Sequence, residues 1–318
     1  MRAITYDVTP LFAPLQVKRK TLRNRLVMPP MAVNRGISTP EGREWYGRRA
    51  EGGVGLVIVE GTDVRSFGSG CTGESLRPLV EAIHRGGALA AIQLFPGVRD
   101  QPASPAELTI EEIEGLIAGF RVAAEICAAA GFDGVEPHGA HTYLLNQFFS
   151  PEKNRRADEY CGALAGRMRL ALSIVEAMRP IASQAEMLIL YRHTPVWLGY
   201  GIEESVSLGR ELVAAGVDIL DISPASDASP GDKAAPFMAL GVPVIAVNEL
   251  DRLPRALEVL CENRASLVAI GRGLIADPDW PTKVREGRLE EIIACTYCDR
   301  CFDDLGPGMA VGCSQWTT

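Results

Sequence analysis

The chain holds four histidines, and two of them, His138 and His141, stand three residues apart in the segment EPHGAHTYLLNQF, with Tyr143 just beyond. Neutral imidazoles can present N–H groups to an oxygen on which negative charge develops. A phenol keeps its proton at neutral pH and can deliver it to a carbon that is becoming a carbanion. Together the three groups could hold an oxyanion and supply a proton. The plainer alternatives are histidines satisfied by structural hydrogen bonds and a buried tyrosine using its hydroxyl locally. A histidine metal site is the weaker reading, because there is no HExxH spacing and no evident third ligand.

A second group of reactive side chains lies near the C-terminus. Of the eight cysteines, Cys71, Cys127, Cys161 and Cys261 are scattered, whereas Cys295, Cys298, Cys301 and Cys313 cluster in CTYCDRCFDDLGPGMAVGCSQWTT. A secreted disulfide scaffold would be shorter and lack a large core, so the cluster reads first as a metal site. Zinc usually takes two separated C-x₂-C pairs. Three cysteines at x₂ spacing with a distant fourth suit a [4Fe–4S] cube better. Cys127 falls in an apolar helical stripe and reads as core.

These groups need elements to position them. Short, continuously apolar runs recur at Leu26–Met28, Gly55–Val59, Leu89–Gln93, Asp133–Glu136, Leu188–Tyr191, Ile219–Ile222, Val244–Val247 and Leu267–Ile270. Such runs fit strands buried on both faces. Helical patterns separate them, the clearest over Ile110–Ala130. The segments AAGFDGVE and AAGVDILD echo each other as helix end, glycine and strand. Eight strands alternating with eight helices predict a (β/α)₈ TIM barrel. A doubly wound open sheet would carry a Gly-rich dinucleotide turn after its first strand, and none is present. The barrel is expected over residues 1–290 and a four-cysteine segment over 291–318. Barrel chemistry sits at the C-terminal ends of the strands. That rule gathers Pro30, Met31, Gly61, Gln93, His138, His141, Tyr143 and Arg192 at one mouth. Asn248, Gly271 and Arg272 follow the last two strands, where barrels often bind phosphate.

Bulk properties exclude several function classes. The 318 residues are 47% apolar and 23% charged, with net charge −8. No basic block appears, so nucleic acid is not an expected partner. The N-terminus lacks the apolar run of about 7–15 residues of a signal peptide, and no stretch reaches the ~18 apolar residues of a membrane span. A cytoplasmic protein acting on a small molecule, as a homo-oligomer, is expected.

The chain resembles the old yellow enzyme family of FMN-dependent oxidoreductases. The likeness rests on LFAPLQVKRKTLRNRLVMPPM, RRAEGGVGLVIVEGT, AIQL, AGFDGVEPHGAHTYLLNQFFSPEKNRRADEYCGALAGRMRL and AIGRGLIADPDW. The tail is similar to the cluster-binding segment of the branch with 2,4-dienoyl-CoA reductase and trimethylamine dehydrogenase. That likeness implies non-covalent FMN, a [4Fe–4S] cluster held by the four tail cysteines, and NAD(P)H as a possible reductant. It implies that His138 and His141 hold a substrate carbonyl oxygen over the flavin. Tyr143 would protonate the α-carbon as flavin N5 gives hydride to the β-carbon of an enone or enoyl compound. Arg192 would support the anionic reduced ring, Gln93 its pyrimidine edge, and Pro30, Met31 and Gly61 its face. Plain core packing and ordinary salt bridges are the alternatives for these side chains. Those relatives continue into further flavin- and nucleotide-binding domains, so a separate reductase or electron-transfer subunit is expected. Amine-type dehydrogenation and a non-catalytic electron carrier are the competing functions. QLFPGVR departs from the family's QLxHxGR at Pro96 and Val98, and the adjoining loops are short, which implies a more open pocket or one that a partner completes.

Overall fold

A computed structural model describes residues 6–96, 104–224 and 233–316. A short antiparallel hairpin, β1 (Leu15–Val17) and β2 (Lys20–Leu22), comes first. The barrel strands follow as β3 (Leu26–Met28), β4 (Leu56–Asp63), β5 (Leu89–Phe95), β6 (Gly134–Gly139) and β7 (Leu188–His193). β8 (Ile219–Ile222), β9 (Val244–Ala246) and β10 (Leu267–Ala269) complete them. All eight are parallel, and pairing of β10 with β3 at Val268 and Leu26 closes the sheet into the expected barrel.

Alternation along the strands divides the core in two. Val27, Ile58, Ala91, Leu190, Ile245 and Leu267 fill the barrel interior. Their neighbours Met28, Val57, Ile92, Val135, Ile189 and Val268 face the helices. The helix Ile110–Ala130 has the predicted bounds, set by a capping box between Thr109 and Glu112 and by Gly131 at φ 95°. After β8 the expected helix is only a 3₁₀ turn, Ala235–Leu240. Pro236 and Gly241, the latter at φ 80°, bracket too few residues for more. No helix among the described residues is long and apolar enough to cross a membrane.

The hairpin had no counterpart in the sequence reading. Val17 and Leu22 join the interior cluster and close the end of the barrel opposite the mouth. Lys20 Nζ fastens the hairpin to Asp133 Oδ1 at 2.7 Å, while Asp133 Oδ2 takes Ala90 N–H at 2.9 Å. Leu22 is fully buried. Leu22→Ala is therefore expected to lower unfolding stability by about 2–5 kcal/mol, measured by urea titration, because the cavity lies where rigid strands cannot collapse.

Four strands run further than their apolar cores suggested. β4, β6 and β7 continue through polar or glycine residues at the mouth, as the pairings His138↔Arg192 and Gly139↔His193 show for the last two, and β5 continues through Leu94 and Phe95. Gly61 thus lies inside β4, at a register irregularity between Val59 and Thr62, rather than after it. His138 lies inside β6, Arg192 inside β7, and Pro30 and Met31 lie just beyond β3. The functional layer of the barrel is polar, which masks strand ends in an apolar pattern.

The tail packs down on the mouth. Val311 is buried and donates its N–H to Val33 O at 3.0 Å. Arg35 Nη2 reaches Val311 O at 2.7 Å, and Trp316 Nε1 reaches Ala276 O at 3.1 Å.

Candidate active site

The strand ends and the tail enclose a cavity of about 480 Å³, within the ~300–1,000 Å³ usual for small-molecule sites. Pro30, Met31, Gly61, Gln93, Arg192, His138, His141 and Tyr143 all line it. Arg272 also reaches it, together with Cys301, Phe302 and Val311 from the tail. Asn248 and Gly271 are not among its lining residues. Asn248 takes a left-handed backbone at φ 104° after β9. A Cβ on Gly271 would stand 3.2 Å from Met31 Sδ, so glycine keeps that wall thin. Val98 lies outside the described residues.

His138 and His141 meet edge to face with ring centroids 5.2 Å apart, and Tyr143 lies 5.0 Å from His138. Burial, joined by the neighbouring His141 and Arg192 charges, pulls His138 well below the usual histidine range. Burial first, then Arg192, lowers His141 to about 3. Both rings are therefore neutral at physiological pH, able to donate N–H without carrying charge. Protonating His141 would require acid near pH 3, and His138 is held down in the same direction, so ligand binding at this wall is expected to show no histidine titration between about pH 5 and 8. A pH series of enone affinities checks this. His193, next to Arg192 in the chain, points outward as alternation predicts and meets Ser205 Oγ at 2.9 Å.

Arg192 is the charge centre. Its Nη2 donates to Ser223 Oγ at 3.0 Å, its Nη1 to Pro30 O at 3.3 Å, and its Nε stands 3.4 Å from Asp221 Oδ2. Asp221 and Glu136 are both fully buried. Burial pushes both carboxyls upward; repulsion from Asp221 adds to the rise at Glu136, and Arg192 opposes it at both. Glu136 Oε1 in turn accepts from Gln93 Nε2 at 2.9 Å, which orients that amide.

Three neighbours of the site were not singled out from sequence: Phe95, Ser223 and the Glu136–Asp221 pair. Phe95 packs edge-on to Tyr143 at 4.7 Å. Its position two residues after Gln93 puts both on one strand face, a signal that alternation could have supplied.

A flat ring with a polar edge, such as an isoalloxazine, suits this geometry. A Cβ at Gly61 would come 3.1 Å from Gln93 Oε1 and fill the wall, and Arg192 and Gln93 both border the cavity. An aromatic ring could lie against Pro30 and Met31 with its pyrimidine edge at Gln93 and Arg192. Arg272 is engaged by the tail, paired with Asp299 Oδ1 at 2.9 Å and stacked 4.4 Å from the Tyr297 ring centre.

The four tail cysteines line one small cavity together with Arg272. All are free thiols. Backbone N–H groups of Tyr297 and Gln315 point at Cys295 and Cys313 sulfurs, at 3.4 and 3.5 Å. Among the described residues no three His, Cys, Asp or Glu groups are gathered closely enough to hold a single metal ion.

The chain matches the NADH:flavin oxidoreductase / NADH oxidase family over residues 10–107, 98–205 and 237–291. It is 34% identical over 345 residues to an NADH oxidase of Thermoanaerobacter brockii, an alignment covering 91% of this chain and 52% of that protein. It is 32% identical over 335 residues to an NADPH dehydrogenase of Listeria innocua serovar 6a, covering 92% of this chain and 99% of that one. The chain thus spans about half the length of the first relative and nearly all of the second. The solved structure of a 2-naphthoyl-CoA reductase in complex with 2-naphthoyl-CoA superposes with a TM-score of 0.83 at 23% identity, covering 96% of this chain and 56% of that one, and shows the same fold. With its closed barrel and this match over most of its length, the chain belongs to the NADH:flavin oxidoreductase / NADH oxidase family and is an FMN-dependent oxidoreductase.

Proposed function

We propose that the protein reduces the activated C=C bond of an enone or enoyl compound at the expense of NAD(P)H. The observation that carries this reading is the convergence of two neutral imidazoles and a phenol on one wall, in the same cavity as Arg192 and Gln93. When bound, FMN supplies two-electron transfer through N5, from the nicotinamide to the β-carbon. The chain's residues do the rest. Ala140 N–H points at His138 Nδ1, 3.3 Å away, so the ring proton resides on Nε2 and is free to donate to the substrate oxygen. Negative charge growing on that oxygen is held by donors already in place. Tyr143 O–H delivers a proton to the α-carbon, and its 41% exposure lets solvent return it. Arg192 would hold the pyrimidine edge and balance negative charge on it.

Mixing anaerobically reduced protein with cyclohexenone tests this. Rapid flavin reoxidation is expected, and its absence would defeat the reading. Tyr143→Phe should slow that step about 10²–10⁴-fold with FMN still bound, followed by stopped-flow absorbance.

The tail cysteines support a second element of the proposal, a [4Fe–4S] cluster that passes single electrons between FMN and a partner subunit. A cubic cluster keeps its thiolates further apart than a zinc ion does, where each sulfur lies about 2.3 Å from the metal. The four cysteines share one small cavity, and Cys301 borders both that cavity and the larger one. Anaerobically purified protein is expected to contain iron and sulfide. Cys313→Ala should abolish both while FMN content is retained; iron-free wild-type protein would remove the cluster from the account.

A further inference from the structure

We propose that Ser223 is a positioning residue that sets the ring tautomer of His141, so that its Nδ1–H is presented to the substrate oxygen. The proposal rests on the reading of His138 and His141 as the oxygen-binding pair, and deepens it.

The geometry is a three-member relay. Ser223 Oγ lies 3.0 Å from Arg192 Nη2 and 2.8 Å from His141 Nε2. A guanidinium can only donate, so the hydroxyl oxygen accepts from Arg192. Ser223 is buried at the cavity wall, and these two are the hydrogen bonds of its hydroxyl among the described residues. If His141 Nε2 carried the proton, both neighbours would donate to that oxygen and the serine proton would have no acceptor within the relay. The consistent assignment is Arg192 to Ser223 to His141 Nε2, with the imidazole proton on Nδ1.

A second, independent set of contacts fixes the three groups in register. His141 N–H donates to Thr194 Oγ1 at 3.0 Å, and Thr194 Oγ1 donates to Ser223 O at 3.2 Å. Ser223 N–H donates to His193 O at 2.9 Å. The ends of β6, β7 and β8 are thereby tied together. His141 and Thr142 take left-handed backbone angles, φ 57° and 67°. Such angles are unfavourable for both residue types and persist where surrounding bonds hold them. The backbone is held in a strained shape that brings the ring against Ser223.

The relay also divides labour between the two imidazoles. Backbone Ala140 assigns His138 as the Nε2–H form. Ser223 assigns His141 as the opposite form. Two neutral rings at right angles then offer two N–H groups without a charge. Arg192, at the head of the relay, also borders the cavity, where it would hold the flavin edge. Ser223 thus links the cation that faces the ring to the donor that faces the substrate.

Histidine-selective ¹⁵N labelling of the FMN-loaded protein tests the assignment, because two-bond ¹H–¹⁵N correlations separate the tautomers. His141 resonances are identified by their loss in His141→Gln. Wild type is expected to show His141 as Nδ1–H. Ser223→Ala should convert it to Nε2–H or a mixture, and should weaken binding of 4-hydroxybenzaldehyde about tenfold, the scale of one hydrogen bond to a charged group. Ser223→Thr keeps the hydroxyl and should restore both signals. Nε2–H in wild type, or an unchanged tautomer in Ser223→Ala, overturns the relay whatever the affinity does. Failure of the phenol to bind wild type at all would instead count against the oxygen-binding reading, and the tautomer measurement still decides the relay.

Discussion

Arg192→Ala is expected to lose about 3–5 kcal/mol of unfolding stability and most of its affinity for FMN. The side chain is 6% exposed and its two acidic neighbours are fully buried. Removing the only cation in contact with Asp221 among the described ion pairs leaves two carboxyls in a dry pocket with nothing to balance a charge. The penalty has a pH signature. Without Arg192 the folded-state values of Glu136 and Asp221 rise further above those of the unfolded chain. A carboxyl with a raised folded value stabilises below its unfolded value, near 4, and loses that stabilisation as pH rises through the folded value. The variant should therefore recover toward wild type as pH falls toward ~4 and be worst at neutral pH. Urea titrations at several pH values, with flavin fluorescence for binding, check both parts. Combining Arg192→Ala with Asp221→Asn should restore much of the stability but not the flavin affinity. Equal stability of Arg192→Ala and wild type at every pH would show that the pair is not balanced by this residue.

Loss of both imidazoles has the other large consequence. His138→Ala and His141→Ala should each lower kcat/KM for an enone by about 10²–10³-fold, as removal of a single oxyanion donor does elsewhere. The effects should not add, because the two rings act on one oxygen. FMN content should remain close to wild type, since Gln93 and Arg192, which would hold the flavin edge, are left in place. Steady-state kinetics under anaerobic conditions, with bound flavin quantified in the same samples, decide the matter. A loss below about tenfold in the double variant would place the substrate oxygen somewhere else.

Much of this architecture was legible in the amino-acid order, and the reasons are physical. Strands buried on both faces leave unbroken apolar runs, and eight such runs separated by helical patterns have few ways to pack. The rule that chemistry collects at the strand C-termini then placed Gln93, His138, His141 and Arg192 together before any distance was known. Strand ends were harder, because Glu60, His138 and Arg192 interrupt the apolar pattern just where the barrel keeps its ladder. The hairpin of Leu15–Val17 and Lys20–Leu22 was invisible for the opposite reason: three-residue strands carry too little periodicity to stand out. Asp221 sat unnoticed in an apolar run, since its cation comes from another strand. Ser223 was equally silent, because a serine after a strand is common and only its two partners give it meaning. The tail read as an appendage around its own cysteines, whereas Val311 and Trp316 bind it to the barrel and bring Phe302 and Cys301 over the mouth.

The central claim is that residues from separate strands cradle one flavin, with its pyrimidine edge toward Arg192 and Gln93 and its face beneath His138 and His141. A crystal structure of the FMN-loaded protein tests it most directly. The account expects one isoalloxazine per chain in the cavity at the strand C-termini, with N1 and O2 within hydrogen-bond reach of Arg192 and the paired imidazoles above the ring. A flavin bound elsewhere, or a ring whose dimethylbenzene edge faces Arg192, would contradict it.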